Sequence, residues 1–112
     1  MDDVTPQRSV DVRPASDAAR VFAAFVDDDG GYFRWLTRHG DGFVLNCNRQ
    51  PVSDLLVLHR ATCLSISGPP APGRWRTKDP IKVCATWRGD LEAWARNRLD
   101  CPPRPCRRCL LA

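Results

Sequence analysis

Two short motifs constrain this chain more than any other feature of its sequence, because each contains two side chains that can bind a metal. HRATC holds His59 and Cys63, and CRRC, near the other end of the chain, holds Cys106 and Cys109. Zinc prefers four nitrogen or sulfur ligands in a tetrahedron, and a C-x2-C turn directs two thiolates at one ion. We therefore predict that the chain folds around one zinc ion bound by these four residues.

The same motifs favour a structural zinc site over a catalytic one. Four protein ligands leave no open coordination position for water or a substrate. Within three residues of each predicted ligand there is no Asp or Glu that could act as a general base. We therefore predict that the chain is not an enzyme and that its cofactor is Zn²⁺.

The other cysteine and histidine side chains leave alternatives open. Cys101 lies five residues before Cys106 and could replace one ligand, although two prolines separate them. Cys47 and Cys84 fall within apolar strands, where we expect core thiols. His39 stands at a predicted helix end, where a structural role is expected. A different interpretation of the two motifs is that they contain buried thiols and a hydrogen-bonded histidine, without a metal.

Charge divides the chain into two parts. Residues 1–31 hold seven Asp and three Arg, a net charge of −4, whereas residues 32–112 hold fourteen Arg or Lys and six acids, a net charge of +8. Residues 1–15 are polar and show no periodicity, so we predict a flexible acidic tail there and a single zinc-stabilised domain at 16–112. The basic part indicates an anionic partner, although a solvated surface would carry the same charges.

Hydrophobic spacing predicts short helices and strands. One helix is expected from Ser16 through DAARVFAAFV, where the segment DDDGG ends it, and a second over YFRWLTRH, ended by Gly40. Apolar runs predict strands in GFVLNCN, DLLVLHR and IKVCATW, the first two joined by a hairpin turn at RQPVS. RGDLEAWARNRL predicts a C-terminal helix.

These elements predict an α+β domain. Its parts are a small three-stranded antiparallel sheet, N-terminal helices packed on it, and a C-terminal helix leading into a zinc knuckle. The expected core contains Phe43, Leu45, Leu56, Leu58, Ile81, Val83, Leu91 and Trp94.

Three segments in this order, LHRATC, DLEAWARNRL and RPCRRC, resemble the metal-binding domain of Ada-type DNA-repair proteins and the small zinc modules appended to some nucleases. The resemblance covers residues 42–110 and implies a small zinc fold in a nucleic-acid context. Ada-type modules use four cysteines and transfer a methyl group from a DNA phosphotriester to the first of them. The matching position here is His59, so the resemblance does not imply that activity. Residues 31–63 also resemble a small actinobacterial domain.

Basic residues and a tryptophan accompany the predicted ligands. They are Arg60, Arg74, Trp75, Arg76, Lys78, Arg104, Arg107 and Arg108. Guanidinium groups match phosphate oxygens, and tryptophan can stack on a base, so we predict a face that binds DNA or RNA. The alternative is a protein-interaction module with a structural zinc, which would use the apolar N-terminal helix and the acidic leader.

No stretch of about 18 apolar residues is present, and the N-terminus lacks the basic start and apolar core of a signal peptide. We therefore expect no membrane partner and a cytoplasmic location, where cysteines stay reduced.

Overall fold

The computed structural model describes residues 20–50 and 55–110, which form one five-stranded sheet and three helices. In chain order the elements are β1 (Phe22–Phe25), α1 (Asp29–Arg38), β2 (Phe43–Asn48), β3 (Leu56–Arg60), α2 (Leu64–Ser67), β4 (Pro80–Ala85), α3 (Arg88–Leu99) and β5 (Arg104–Pro105). The order of strands across the sheet is β1-β4-β2-β3-β5. Neighbouring strands run antiparallel except for β3 and β5, which are parallel. The protein is therefore α+β with a mixed sheet.

The predicted three-stranded antiparallel sheet is wrong, because two further strands extend it. The three predicted strands are present as β2, β3 and β4, and they form the centre of the sheet. β1 pairs with the open side of β4, and β5 pairs with the open side of β3. Both edges of the central sheet are thus covered, which satisfies backbone groups that would otherwise be unpaired. The predicted turn at RQPVS lies partly outside the described residues.

The predicted first helix is a strand where it is described. Ala23 and Phe25 pack against the core while Phe22 is 46% exposed, which is the two-residue period of a strand. A short apolar run fits a helix and a strand about equally well, and pairing with β4 selects the strand. Ser16 and the predicted tail at 1–15 lie outside the described residues.

The sheet buries apolar side chains on both of its faces. One face packs against α3, and its core contains Leu45, Cys47, Leu56, Leu58, Ile81, Val83, Ala85, Leu91 and Ala95. The other core includes α1 and α2 and contains Tyr32, Trp35, Val44, Ala61, Cys63, Ile66, Cys84 and Cys106. Six of the eight predicted core residues are buried, and the other two, Phe43 and Trp94, are partly buried and pack against the first core.

The acidic segment DDDGG begins a helix instead of ending one. Asp28 is the N-cap of α1, and its carboxylate accepts the N–H of Gly31 at 2.9 Å. A carboxylate is favourable here because the first N–H groups of a helix lack partners within the helix. α1 ends at Arg38 with His39 as its C-cap, so the predicted C-cap at Gly40 is wrong by one residue. α3 has the bounds that the sequence predicts.

A partly buried group of hydrogen bonds joins the start of α1 to the loop before β4. Thr77 has no exposed surface, and its N–H and hydroxyl both donate to the Asp29 carboxylate, at 2.9 and 2.7 Å. The Arg76 N–H donates to the same carboxylate at 2.8 Å. Burial raises the pKa of Asp29, but these donors outweigh it and the net shift is downward. Residues 76–77 are therefore held against α1.

Candidate metal centre

The first two predicted ligands lie at the end of β3. His59 is the fourth residue of that strand. A turn follows in which the Cys63 N–H donates to the Arg60 carbonyl at 3.0 Å. The Cys63 carbonyl then accepts the N–H groups of Ile66 and Ser67, which begins α2. The H-x3-C spacing thus spans a strand end, a turn and a helix start.

The second pair is positioned by α3 and β5. The C-cap of α3 is Asp100, whose left-handed backbone, with φ of 55°, turns the chain back toward the sheet. β5 then runs parallel to β3, and the Cys106 N–H donates to the Leu58 carbonyl at 2.8 Å. The Leu110 N–H donates to the Cys106 carbonyl at 2.9 Å, which closes the turn containing Cys109.

The four predicted ligands meet in one cluster. Their candidate ligand atoms all lie within 4.8 Å of one another, and the Sγ atoms of Cys63 and Cys106 are 3.9 Å apart. A tetrahedral zinc ion with Zn–S distances of about 2.3 Å separates its sulfurs by about 3.8 Å. A disulfide requires about 2.05 Å, and the six cysteines are free. The cluster of His59, Cys63, Cys106 and Cys109 could therefore bind a metal ion.

Backbone N–H groups donate to two of the sulfur atoms. The Arg60 N–H lies 3.2 Å from the Sγ of Cys109, and the Arg108 N–H lies 3.4 Å from the Sγ of Cys106. Such donors stabilise a thiolate, which is the form of cysteine that binds metals. Arg60, which directly follows the candidate ligand His59, thus stabilises the thiolate of Cys109 in the second motif.

Ser65 connects the cluster to the loop that follows α2. Its Oγ lies 2.9 Å from the Sγ of Cys63 and 3.5 Å from the Nδ1 of His59. Its carbonyl accepts a hydrogen bond from the Arg76 guanidinium at 3.1 Å, and that guanidinium also donates to the Gly68 carbonyl at 2.9 Å. Arg76 therefore fastens the loop to α2, next to the cluster.

Burial governs the protonation of the candidate ligands. It lowers the pKa of His59 to about 4, with a smaller contribution from Lys82, so the imidazole is neutral at pH 7. Burial raises the pKa of Cys109 to about 11. It also acts to raise the pKa of Cys106, but the N–H groups of Arg108 and Cys109 outweigh it and the net shift is downward. The Cys106 thiol therefore loses its proton more readily than the Cys109 thiol. A bound cation would favour the ionised form of both, because it compensates the added negative charge.

The remaining cysteines lie outside this cluster. Cys47 is buried in the core against α3, and Cys101 packs partly buried against the same core. Cys84 is fully buried in the other core. Burial raises the pKa of Cys47 to about 11 and raises the pKa of Cys84 as well, so both remain thiols at pH 7. The ring of His39 lies 4.7 Å from that of Trp35 at the end of α1.

Four of the predicted nucleic-acid-binding residues surround the cluster. The Arg60 side chain donates through Nε to the Cys109 carbonyl at 3.0 Å. Arg104 and Arg107 line a cleft of about 390 Å³ beside the cluster. The side chains of Arg104, Arg107 and Arg108 are exposed, and none forms a hydrogen bond or ion pair within the described residues. Their charges are available to a ligand.

The other four lie in the loop between α2 and β4. Arg74, Trp75 and Lys78 are exposed and, together with Arg76, line a second cavity of about 710 Å³. The Arg76 guanidinium differs from the other charges of this group, because it donates hydrogen bonds to the carbonyls of Ser65, Gly68 and Pro69. The structure therefore places the eight predicted residues in two groups, one at the cluster and one at this cavity.

Several acidic side chains of the described residues form ion pairs with arginines outside the ligand cluster and the second cavity. These pairs are Asp27 with Arg49, Asp90 with Arg20, and Glu92 with Arg88. The segments that supply the ligands and line the second cavity are different, because residues 59–80 and 101–110 contain seven Arg or Lys and one acid, Asp79. The surface that these two segments form is therefore basic.

Sequence reasoning did not indicate a role for Ser65, Asp29 or Lys82. Their side chains form hydrogen bonds with residues 63 and 76–77, at the cluster and in the loop beside it. Lys82 is 2% exposed, donates to the Arg76 carbonyl, and lies with its ammonium 5.9 Å from the centre of the Tyr32 ring. A lysine within the apolar run IKVCA was a usable signal, since a charge in a central strand needs a partner. Asp29 gave no such signal, because its partners are 47 and 48 residues away.

Comparison of the chain with known protein families, curated proteins and solved structures gives no match. The resemblance to Ada-type modules therefore remains an expectation that rests on the motifs. Within the described residues, no helix is both long enough and apolar enough to span a membrane.

Proposed function

We propose that this chain is a non-catalytic zinc-binding module whose basic surface binds the phosphates of a nucleic acid. One observation carries the proposal. The two segments that supply the ligand cluster and the second cavity, residues 59–80 and 101–110, hold seven basic residues and one acid, Asp79.

Zinc is the metal that best fits the ligand set. Three cysteines and one histidine in tetrahedral arrangement form a common structural zinc site. Three thiolates and a neutral imidazole around Zn²⁺ leave a net charge of about −1, which the surrounding arginines balance. The ion would connect the end of β3 to the turn after β5 and contribute roughly 10 kcal/mol or more to folding.

The proposed role of the ion is structural. Four protein ligands complete a tetrahedral shell, which leaves no position for a reacting water. The cluster includes no carboxylate from the described residues. In the resemblance to Ada-type modules, His59 replaces the cysteine whose sulfur accepts a methyl group, so methyl transfer is not part of the proposal.

Phosphate binding follows from the arginines at the cluster. Arg107 and Arg108 lie between the ligands Cys106 and Cys109, so a bound ion would fix their backbone before any nucleic acid arrives. Arg104 lies on β5, where pairing with β3 holds it in place. A guanidinium on an ordered backbone loses less entropy when it binds a phosphate through two hydrogen bonds.

The test is the salt dependence of binding to a labelled DNA duplex, measured by fluorescence anisotropy between about 50 and 200 mM salt. The double variant R104Q/R107Q should weaken binding and reduce the slope of log K against log salt by about 2, since about 0.9 counterions are released per phosphate contact. The control R34Q/R88Q removes the same charge from α1 and α3 and should keep the wild-type slope. Equal effects of the two double variants would contradict the proposed surface.

A protein-interaction module is the second candidate, and an edge of the sheet favours it. Among the strands of the described residues, β1 lies at an edge of the sheet; its side chain Phe22 is 46% exposed, and Val26 directly after it is 44% exposed. An edge strand with apolar neighbours can pair with a segment of another protein. This candidate predicts that the wild-type protein binds neither duplex nor single-stranded nucleic acid at about 50 mM salt.

A further inference from the structure

The loop that carries Trp75 is anchored to α1 and α2 directly after the exposed indole. The Arg76 and Thr77 N–H groups donate to the partly buried Asp29 carboxylate. The Arg76 guanidinium donates to the carbonyls of Ser65 and Gly68. Trp75 nevertheless remains 48% exposed. A large apolar ring held in solvent by fixed neighbours is typical of a binding surface.

A tight turn presents the N-terminal side of the same loop. The Arg74 N–H donates to the Ala71 carbonyl at 2.9 Å, and Gly73 has φ of +77°. Proline followed by glycine in the left-handed region is the pattern of a type II turn, and here it spans residues 71–74. The turn places Arg74 directly before Trp75, and the Arg74 guanidinium has no partner within the described residues.

Charge and shape identify the ligand that suits this cavity. It measures about 710 Å³, within the range of small-molecule pockets, and its lining includes Trp75, the three basic side chains Arg74, Arg76 and Lys78, and one carboxylate, Asp79. The Lys78 ammonium lies 5.5 Å from the centre of the Trp75 ring. An aromatic face with two exposed cations beside it offers stacking for a base and charge for its phosphates.

We propose that this cavity accepts an unpaired nucleotide, with its base stacked on Trp75 and its phosphate bound by Arg74 and Lys78. The inference rests on the proposed function and gives it a substrate class, single-stranded nucleic acid. In a duplex both faces of a base are covered by its neighbours, so a protein indole can stack only on an unpaired or splayed base. The arginines at the metal cluster would bind the phosphates of duplex and single-stranded nucleic acid alike. The cavity would bind only the single-stranded form, because only that form offers an unstacked base.

The test compares three labelled probes of one sequence, about 12 nucleotides long: single-stranded DNA, single-stranded RNA and the DNA duplex. The variants are W75A and, as a control, L64A, which removes another exposed apolar side chain from α2. Zinc-loaded W75A should bind both single strands about 5- to 100-fold more weakly and the duplex within about twofold of wild type. L64A should bind all three probes as wild type does, and W75F, which keeps an aromatic face, should retain most single-strand affinity.

A second measurement keeps the inference testable if W75A does not fold. Titration of wild type and W75F with the unlabelled single strand isolates the fluorescence of Trp75 by difference, and stacking should quench it. Equal loss of single-strand and duplex affinity in W75A, or no quenching of Trp75, overturns the inference alone. A wild-type protein that binds none of the three probes overturns the proposed function as well.

Discussion

The backbone N–H of Cys106 donates a hydrogen bond of 2.8 Å to the carbonyl oxygen of Leu58, the residue directly before His59. In the parallel pairing of β5 with β3, Leu58 lies opposite Pro105, which has no N–H to donate. The next donor along the chain is Cys106, so the pairing places a ligand of the second motif beside a ligand of the first. The sheet and the proposed ion therefore support the same arrangement.

Loss of one ligand should unfold the chain, whereas loss of a cysteine outside the cluster should not. C106S removes a thiolate from a site proposed to contribute roughly 10 kcal/mol, so this variant should be largely unfolded at 25 °C and should not retain zinc. Cys101 is partly buried outside the cluster, and C101S should fold, bind one zinc and lose less than about 1.5 kcal/mol. Circular dichroism melts and metal analysis provide the measurements. A C106S protein that melts like wild type in the presence of a chelator would contradict the site.

The Asp29 carboxylate should stabilise the fold more than that of the adjacent Asp28. Asp29 accepts hydrogen bonds from two backbone N–H groups and the Thr77 hydroxyl, whereas the Asp28 carboxylate accepts one from Gly31. D29A leaves buried donors unpaired and should cost about 2–4 kcal/mol, while D28A removes one cap and should cost about 1 kcal/mol. Chemical denaturation of the two variants compares these costs. A larger loss in D28A than in D29A would show that the loop does not depend on this carboxylate.

Lys82 should make stability rise between about pH 8 and pH 10. Burial, with help from the nearby Arg76, lowers its pKa from 10.5 to about 8. Across this window the unfolded chain holds a proton that the folded protein has released, so stability increases with pH. The buried thiols Cys47 and Cys84 act in the opposite direction, because their pKa values are raised.

The Lys82 contribution is isolated by comparison with K82M, which keeps an unbranched side chain of similar length. Free energies of unfolding are measured for both proteins at about pH 7.5, 8.5 and 9.5. The value for wild type minus that for K82M should grow more positive as the pH rises. A difference that stays constant over this range would contradict the lowered pKa.

The central elements of the fold were predictable because each combines an apolar pattern with turn residues at its ends. α3 matches its predicted bounds, since apolar residues such as Leu91 and Ala95 recur at helical spacing over a full 12 residues. β2, β3 and β4 are short, mostly apolar segments that are bounded by turn residues. The four candidate ligands were found for the same reason, because closely spaced pairs of cysteine and histidine are typical of zinc sites.

The edges of the sheet were not predictable from local patterns. β1 is four residues long, and its apolar spacing also fits a helix, so only its pairing with β4 decides the structure. β5 has two residues, one of them Pro105, and forms because the chain returns to β3 beside the cluster. Arg76 attaches its loop to α2 through hydrogen bonds to carbonyls that lie seven to eleven residues earlier in the chain. Contacts between distant segments, rather than propensities, determine each of these features.

X-ray absorption spectroscopy of the purified chain at the zinc edge tests the central claim most directly, together with the metal-to-protein ratio. We expect one zinc per chain, with three sulfur ligands at about 2.3 Å and one nitrogen at about 2.0 Å. H59A should lose the nitrogen contribution or the metal itself. Zinc in less than stoichiometric amount, or a nitrogen contribution that H59A leaves unchanged, would contradict the proposed centre.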